Sequence, residues 1–166
     1  MDTRTRITLL LAFLLPVLLA GCGYSVHSRA SLPFTEIRIG KVENRTLEPK
    51  LEDKLHRALA EEFERNGITV SPGAAPVISG VIRNFTMISL SEKKGTTVEY
   101  QIIVQADFTF QNAAGKVSEI WRTESPFIVP FSGSETIADL VAARDIAERK
   151  AMADIAMEVV GSLIYK

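Results

Sequence analysis

The chain has 166 residues, 46% of them apolar and 23% charged, with 19 Lys plus Arg against 20 Asp plus Glu and a formal net charge of −1. Those proportions suit a single globular domain and argue against a disordered or fibrous chain, while the lack of excess positive charge argues against a nucleic-acid partner. One cysteine cannot form an intramolecular disulfide, and with two histidines it cannot supply a Cys-rich structural zinc site.

The first segment reads as a leader rather than as part of the fold. Arg4 and Arg6 give it a positive start, and Ile7 to Ala20 is an almost wholly apolar run of 14 residues. That run is shorter than the roughly 20 residues a spanning helix needs and suits the apolar stretch of a signal peptide. It closes in Leu19-Ala20-Gly21-Cys22, which resembles the lipobox of bacterial lipoproteins, where small residues precede the cysteine whose sulfur is acylated. The sole thiol sits where that chemistry needs it. An ordinary secretory leader with an incidental cysteine, or a short membrane anchor, is the competing reading. On the lipoprotein reading residues 1–21 are a signal peptide, 22–33 a lipidated tether and 34–166 a single α+β domain. Each buried methylene of an acyl chain such as palmitate adds about 0.8 kcal/mol, so two or three chains on Cys22 make a permanent anchor. In Gram-negative lipoproteins an Asp after the cysteine commonly signals inner-membrane retention; by that resemblance Gly23 points to the outer membrane.

The exported body begins with a strand. Glu36-Ile37-Arg38-Ile39 alternates polar and apolar residues, the period of a half-buried strand, and Gly40 is placed to bend it. A helix follows, with Thr46 as its expected N-cap and Pro49 in its first turn. Leu51, Leu55, Ala58, Leu59 and Phe63 share one face, and Asn66-Gly67 supplies the stop. Ile68 to Val70 reads as a short strand and Ser71-Pro72-Gly73 as a turn. Val77 to Leu90 reads as a long strand with Gly80 as its bulge.

The strongest periodicity comes next. Val98, Tyr100, Ile102, Val104, Ala106, Phe108 and Phe110 take every second position, with Glu99, Gln101, Gln105, Asp107, Thr109 and Gln111 between them. One face is core, with Tyr100 and Phe108 expected to bury their rings, and the other is wet. Asn112 to Gly115 makes a turn, and Val117 to about Val129 is expected to return as one strand weakened by Pro126. The last helix, capped by Ser134 or Thr136, carries a stripe of Ile137, Leu140, Val141, Ala147, Ala151, Ile155, Val159 and Leu163, widened by Ile146, Met157, Val160 and Ile164. The expected fold is a two-layer α+β sandwich in the order β-α-β-β-β-α. Its mostly antiparallel sheet of about four strands is covered on one face by two helices, which leaves a polar face for solvent or a partner.

Catalytic constellations are thin. His27 lies in the tether and His56 on the charged side of the first helix, and there is no G-x-S-x-G elbow, no H-E-x-x-H and no phosphate-cradling glycine loop. The Glu61-Glu62 pair reads as two solvated acids on a charged helix face. No enzyme activity, cofactor or metal is expected. The turn Ser91 to Thr97 joins the two longest strands and puts Lys93 and Lys94 at a hairpin tip. Two ammonium groups there could meet phosphates through charge-assisted hydrogen bonds, although a solvated polar turn is the commoner meaning of such a sequence.

Leu19-Ala20-Gly21-Cys22-Gly23-Tyr24, the Asn44-x-Thr46 entry to the first helix and, above all, Lys93-x-Gly95-x-Thr97-x-Glu99-Tyr100-Gln101-Ile102 resemble the LPS-assembly lipoprotein LptE family, over nearly the whole chain. The resemblance implies a lipid-anchored partner of the outer-membrane β-barrel LptD that plugs the barrel lumen, supports its assembly and helps lipopolysaccharide reach the outer leaflet. It makes Lys93 and its neighbour Lys94 candidates for lipopolysaccharide contact. A second basic residue expected between the last strand and last helix has no clear match in Ser132 to Val141. A plug in a polar lumen needs a polar surface, and Glu99, Gln101, Gln105 and Gln111 offer one. The alternatives are a pilotin or secretion accessory bound to a different barrel, and a lipid-anchored hydrolase.

Overall fold

The computed structural model describes residues 34–93, 96–122, 127–132 and 136–164. In chain order they form β1 (Glu36–Asn44), α1 (Leu51–Arg65), β2 (Thr69–Val70), β3 (Val77–Lys93), β4 (Thr96–Gln111), β5 (Val117–Arg122), β6 (Phe127–Ser132) and α2 (Ile137–Ile164). The α+β class holds, with one sheet and two helices. The sheet, however, has six strands where the periodicity suggested about four, in the order β2-β1-β3-β4-β5 with β6 also on β4.

Two features account for the difference. First, β1 runs parallel to both β2 and β3, so the chain crosses from β1 to its neighbours through α1. Alternation within one strand carries no information about the direction of its partner. Second, the expected single return strand is two strands on the same edge of β4. β5 pairs with its last residues, Asp107 to Gln111, and β6 with Glu99 to Val104. The 16-residue β4 is therefore the spine of the sheet, with β3 along one side and β5 and β6 end to end along the other.

Local chemistry sets the helix ends. α1 closes in a Schellman arrangement: Gly67 takes φ 81°, its N–H donates to Glu64 O at 2.9 Å, and Ile68 N–H donates to Phe63 O at 2.9 Å. The entry differs from the sequence expectation, because Thr46 does not cap the helix. Lys50 holds the N-cap position in the left-handed region without a side-chain cap. Thr46 instead belongs to a tight loop, where its N–H and hydroxyl donate to Asn44 Oδ1 at 3.0 and 2.8 Å. Asn44 Nδ2 donates to Glu48 O at 2.7 Å and to Glu52 Oε2 at 2.8 Å. The Asn44-x-Thr46 pair thus fastens the loop to the first turn of α1. At α2, Thr136 Oγ1 accepts from Asp139 N at 3.2 Å, which caps the helix, and donates to Asp139 Oδ2 at 2.5 Å.

Both helices pack on one side of the sheet in a single core. Leu51, Leu55, Leu59 and Phe63 of α1 meet Ala151, Met152, Ile155, Ala156 and Val159 of α2 over Ile37, Ile78, Ile82, Ile102, Val104, Ala106 and Phe108 of the strands. The register shift between Ile39 and Val42 puts Gly40 in a bulge of β1, as expected. Gly80 is not a bulge: it sits in continuous register opposite Phe108, and a Cβ there would lie 2.8 Å from Phe108 Cε1. The glycine makes room for a ring. β3 is irregular instead at Arg83, between Ile82 and Asn84, and again between Ser89 and Glu92. Tyr100 is half-buried, stacked on Phe131 with ring centroids 5.3 Å apart.

The α2 stripe is narrower than its sequence suggested. Ala147, Ala151, Ile155, Val159, Val160, Leu163 and Ile164 are buried, whereas Ile137, Val141, Ile146 and Met157 stand in solvent. The helix extends beyond the layer that it covers.

Candidate functional site

The side of the sheet opposite the helices is uncovered among the described residues. β4 alternates without a break: Ile102, Val104, Ala106 and Phe108 are buried, while Glu99, Gln101, Gln105 and Gln111 lie on the other side. The structure thus puts on one face the four polar residues offered as a partner surface, spread along the strand with Ile103 between Gln101 and Gln105. Gln101 sits opposite Ile88 of β3 and Pro130 of β6, and Gln105 accepts from Asn84 Nδ2 at 3.4 Å. At the far end, Gln111 Nε2 donates to Gly115 O at 3.4 Å. Lys93 closes β3, but its side chain and the whole of Lys94 lie outside the described residues, as do Cys22 and His27.

Charge on this face was missed by a reading confined to β4. Arg83 Nε lies 2.5 Å from Asp107 Oδ2, and Lys41 and Glu43 of β1 line the same shallow depression with Ser79 and Thr109. Glu43 accepts from Arg45 Nε at 2.8 Å, and that hydrogen bond, with the charges of Arg45 and Lys41, holds its carboxyl below the usual value of 4.5. The available signal was the opposite charge of Arg83 and Asp107 on two long neighbouring strands. Their pairing depends on the bulge at Arg83, which alternation does not reveal.

A second cluster lies between the helices. Lys54 Nζ of α1 donates to Asp145 Oδ1 at 2.6 Å and Glu148 Oε2 at 2.5 Å, both on α2. Arg144 Nε donates to Glu148 Oε1 at 2.8 Å, its Nη2 meets Glu48 in the loop before α1, and its guanidinium lies over the Phe85 ring, 5.8 Å from the centroid. Glu148 is buried and carries both cations. Burial pulls the Lys54 ammonium down, but its two carboxylate partners outweigh this and leave it above the usual 10.5. The Lys54 hydrogen bond is the main reason that Asp145 stays below its usual 3.8.

The carboxylates of α1 divide. Glu61 is exposed as expected, whereas Glu62 is buried, paired with Arg65 and accepting from Asn66 Nδ2 at 2.9 Å. His56 is exposed. Among the described residues no cluster of His, Cys, Asp and Glu could hold a metal, and no helix is long and apolar enough to cross a membrane.

A one-sided helix layer, an open sheet face with a polar row and a charge cluster that joins the two helices define a small two-layer α+β domain. The family model described as LptE, Lipopolysaccharide-assembly, matches residues 34–163. The chain belongs to the LptE family. No curated protein matches it by sequence. Among solved structures, rare lipoprotein B from Shewanella oneidensis is similar at 13% identity and a TM-score of 0.56, over 77% of this chain and 92% of that one. Uncharacterized lipoprotein B from Nitrosomonas europaea is similar at 14% identity and a TM-score of 0.51, over 83% and 88%. At such identities the likeness is one of fold.

Proposed function

We propose that the chain is a non-catalytic lipoprotein of the outer membrane. In this reading residues 1–21 are removed as a signal peptide, Cys22 carries the acyl anchor, 22–33 are the tether and 34–166 form the working domain. The domain plugs an LptD-like β-barrel, supports the barrel's assembly and binds lipopolysaccharide on its way to the outer leaflet. One observation carries the reading: a chain of the LptE family covers one sheet face with both helices and leaves the polar row Glu99, Gln101, Gln105 and Gln111 on the other. A body that stands in a water-filled barrel needs such a polar surface.

The test is copurification from detergent-solubilised outer membrane. A large barrel recovered at one-to-one stoichiometry is the expected result; a different barrel would make the chain a pilotin or secretion accessory. Mass spectrometry of the mature protein should find Cys22 acylated, and an unmodified thiol would remove the anchor. For the hairpin tip, Lys93→Glu with Lys94→Glu should weaken lipopolysaccharide binding about tenfold, the effect of losing two charge-assisted contacts. Unchanged binding by a folded double variant would remove the tip from the site.

A further inference from the structure

The exit of α1 carries a reactive dipeptide. Of the four asparagines in the chain, only Asn66 precedes a glycine. With no Cβ on the glycine, its nitrogen meets little hindrance on the way to the asparagine side-chain carbonyl carbon, and the two close readily into a five-membered imide. Opening of that ring leaves aspartate or isoaspartate where asparagine stood.

The structure holds the pair in a form that does not close. Asn66 has φ −83° and ψ 3°, which turns the Gly67 nitrogen away from Cβ, whereas the ring needs both on the same side of the Cα–C bond. Gly67 is fixed at φ 81°, and its N–H donates to Glu64 O at 2.9 Å. The side chain is held as well: Asn66 Nδ2 donates to Glu62 O and to Glu62 Oε1, both at 2.9 Å. Glu62 is buried and paired with Arg65, so the acceptor that fixes the amide is itself fixed. All of these contacts lie at the last turn of α1, and helix ends open at lower cost than helix centres.

We propose that Asn66 is a site of spontaneous deamidation kept shut by the α1 cap, with Glu62 as the side chain that holds it shut. When the cap opens, the Gly67 nitrogen attacks Asn66 Cγ and a C–N bond forms. The side-chain nitrogen leaves as ammonia, taking the proton that Gly67 N–H gives up. Water then adds to one of the two imide carbonyls and splits its bond to the ring nitrogen. The product does not fit the closed cap. A carboxylate oxygen replaces the Nδ2 donor, so two negative groups face each other where a hydrogen bond stood. Isoaspartate also adds a carbon to the backbone just before Ile68, whose N–H reaches Phe63 O. A cap that has opened and reacted therefore does not re-form, and the modification records the opening.

The experiment ages the full-length chain in mildly alkaline buffer, folded and in urea, and reads deamidation at each asparagine by peptide mapping and mass spectrometry. Asn66 should react at least about tenfold more slowly in the folded chain than in urea. Glu62→Ala, shown to be folded by circular dichroism, should raise the folded rate at Asn66 by about threefold or more, the effect of one lost hydrogen bond. Glu62→Gln, which keeps an acceptor for Nδ2, should stay with the parent, and Asn112 should not respond to either variant. Equal rates at Asn66 in the folded chain and in urea overturn the gate, and a folded Glu62→Ala that reacts as slowly as the parent overturns the role of Glu62. Asn66→Asp makes one product directly and keeps the proposal open to refutation if Glu62→Ala does not fold. It should lower the denaturant midpoint and speed exchange of the Gly67 and Ile68 amides; an unchanged midpoint and unchanged exchange overturn the one-way consequence.

Discussion

Phe108 and Gly80 depend on each other. The ring is buried at the centre of the sheet and lies where a Cβ on Gly80 would need to be. Gly80→Ala should therefore destabilise by about 1–3 kcal/mol through overpacking. Denaturant midpoints measure this, and Gly80→Ala combined with Phe108→Leu should recover part of the loss. Glycine alternation with an aromatic residue opposite is visible in the sequence only once the register is known. The periodicity of β4 assigned Phe108 to the core correctly and read Gly80 as a bulge, because a strand glycine that yields to a ring looks the same as one that yields to a kink. Glu62 is a similar case: its burial follows from Arg65 and Asn66 one turn on, whereas Glu61 beside it is solvated.

The helices are held to each other by charge at one end and by hydrocarbon along the rest. For the Lys54–Asp145 pair the signs can be worked out. Asp145 lies below its usual value, so its contribution is present above about 3.8 and is lost as the pH falls through the lowered value; Lys54 lies above 10.5, so its contribution is lost only in strong alkali. Lys54→Met should flatten the acid limb of the stability profile below pH 4 relative to the parent, as chemical denaturation across pH would show. At the other end of α1, Gly67→Ala forces a side chain into φ 81° and should cost about 1–2 kcal/mol by the same measurement. Stop signals of this kind are local and were readable, as was Thr136 at the start of α2. The entry to α1 was not, because Asn44, Thr46, Glu48 and Glu52 form a loop whose hydrogen bonds reach back to a strand end. Similarly, Ile137, Val141, Ile146 and Met157 match the helical period yet are exposed, with nothing among the described residues for them to cover.

For the molecule as a whole, the α+β class and the one-sided cover followed from periodicity, and the polar row of β4 with them. The strand count and the parallel placement of β1 did not, because pairing between distant segments leaves no mark on either sequence. β4 bonds to β3, β5 and β6 at once, which predicts a gradient of protection. Amides from Ile102 to Phe108 should exchange slowest in the free protein, near the global opening rate, and those of β5 markedly faster. Uniform exchange across the sheet would show that it opens as one unit instead.

The clamp between the two helices also dictates timing. Leu51 to Phe63 are delivered early during synthesis, but the core that buries them is completed only by the last 28-residue helix, and β1 has no long neighbour until β3 arrives. A chain threaded through a translocation pore from its N-terminus would remain open until almost all of it had emerged. Such a delay would keep a polypeptide passable through a narrow channel and would leave the completion of the core to its last helix.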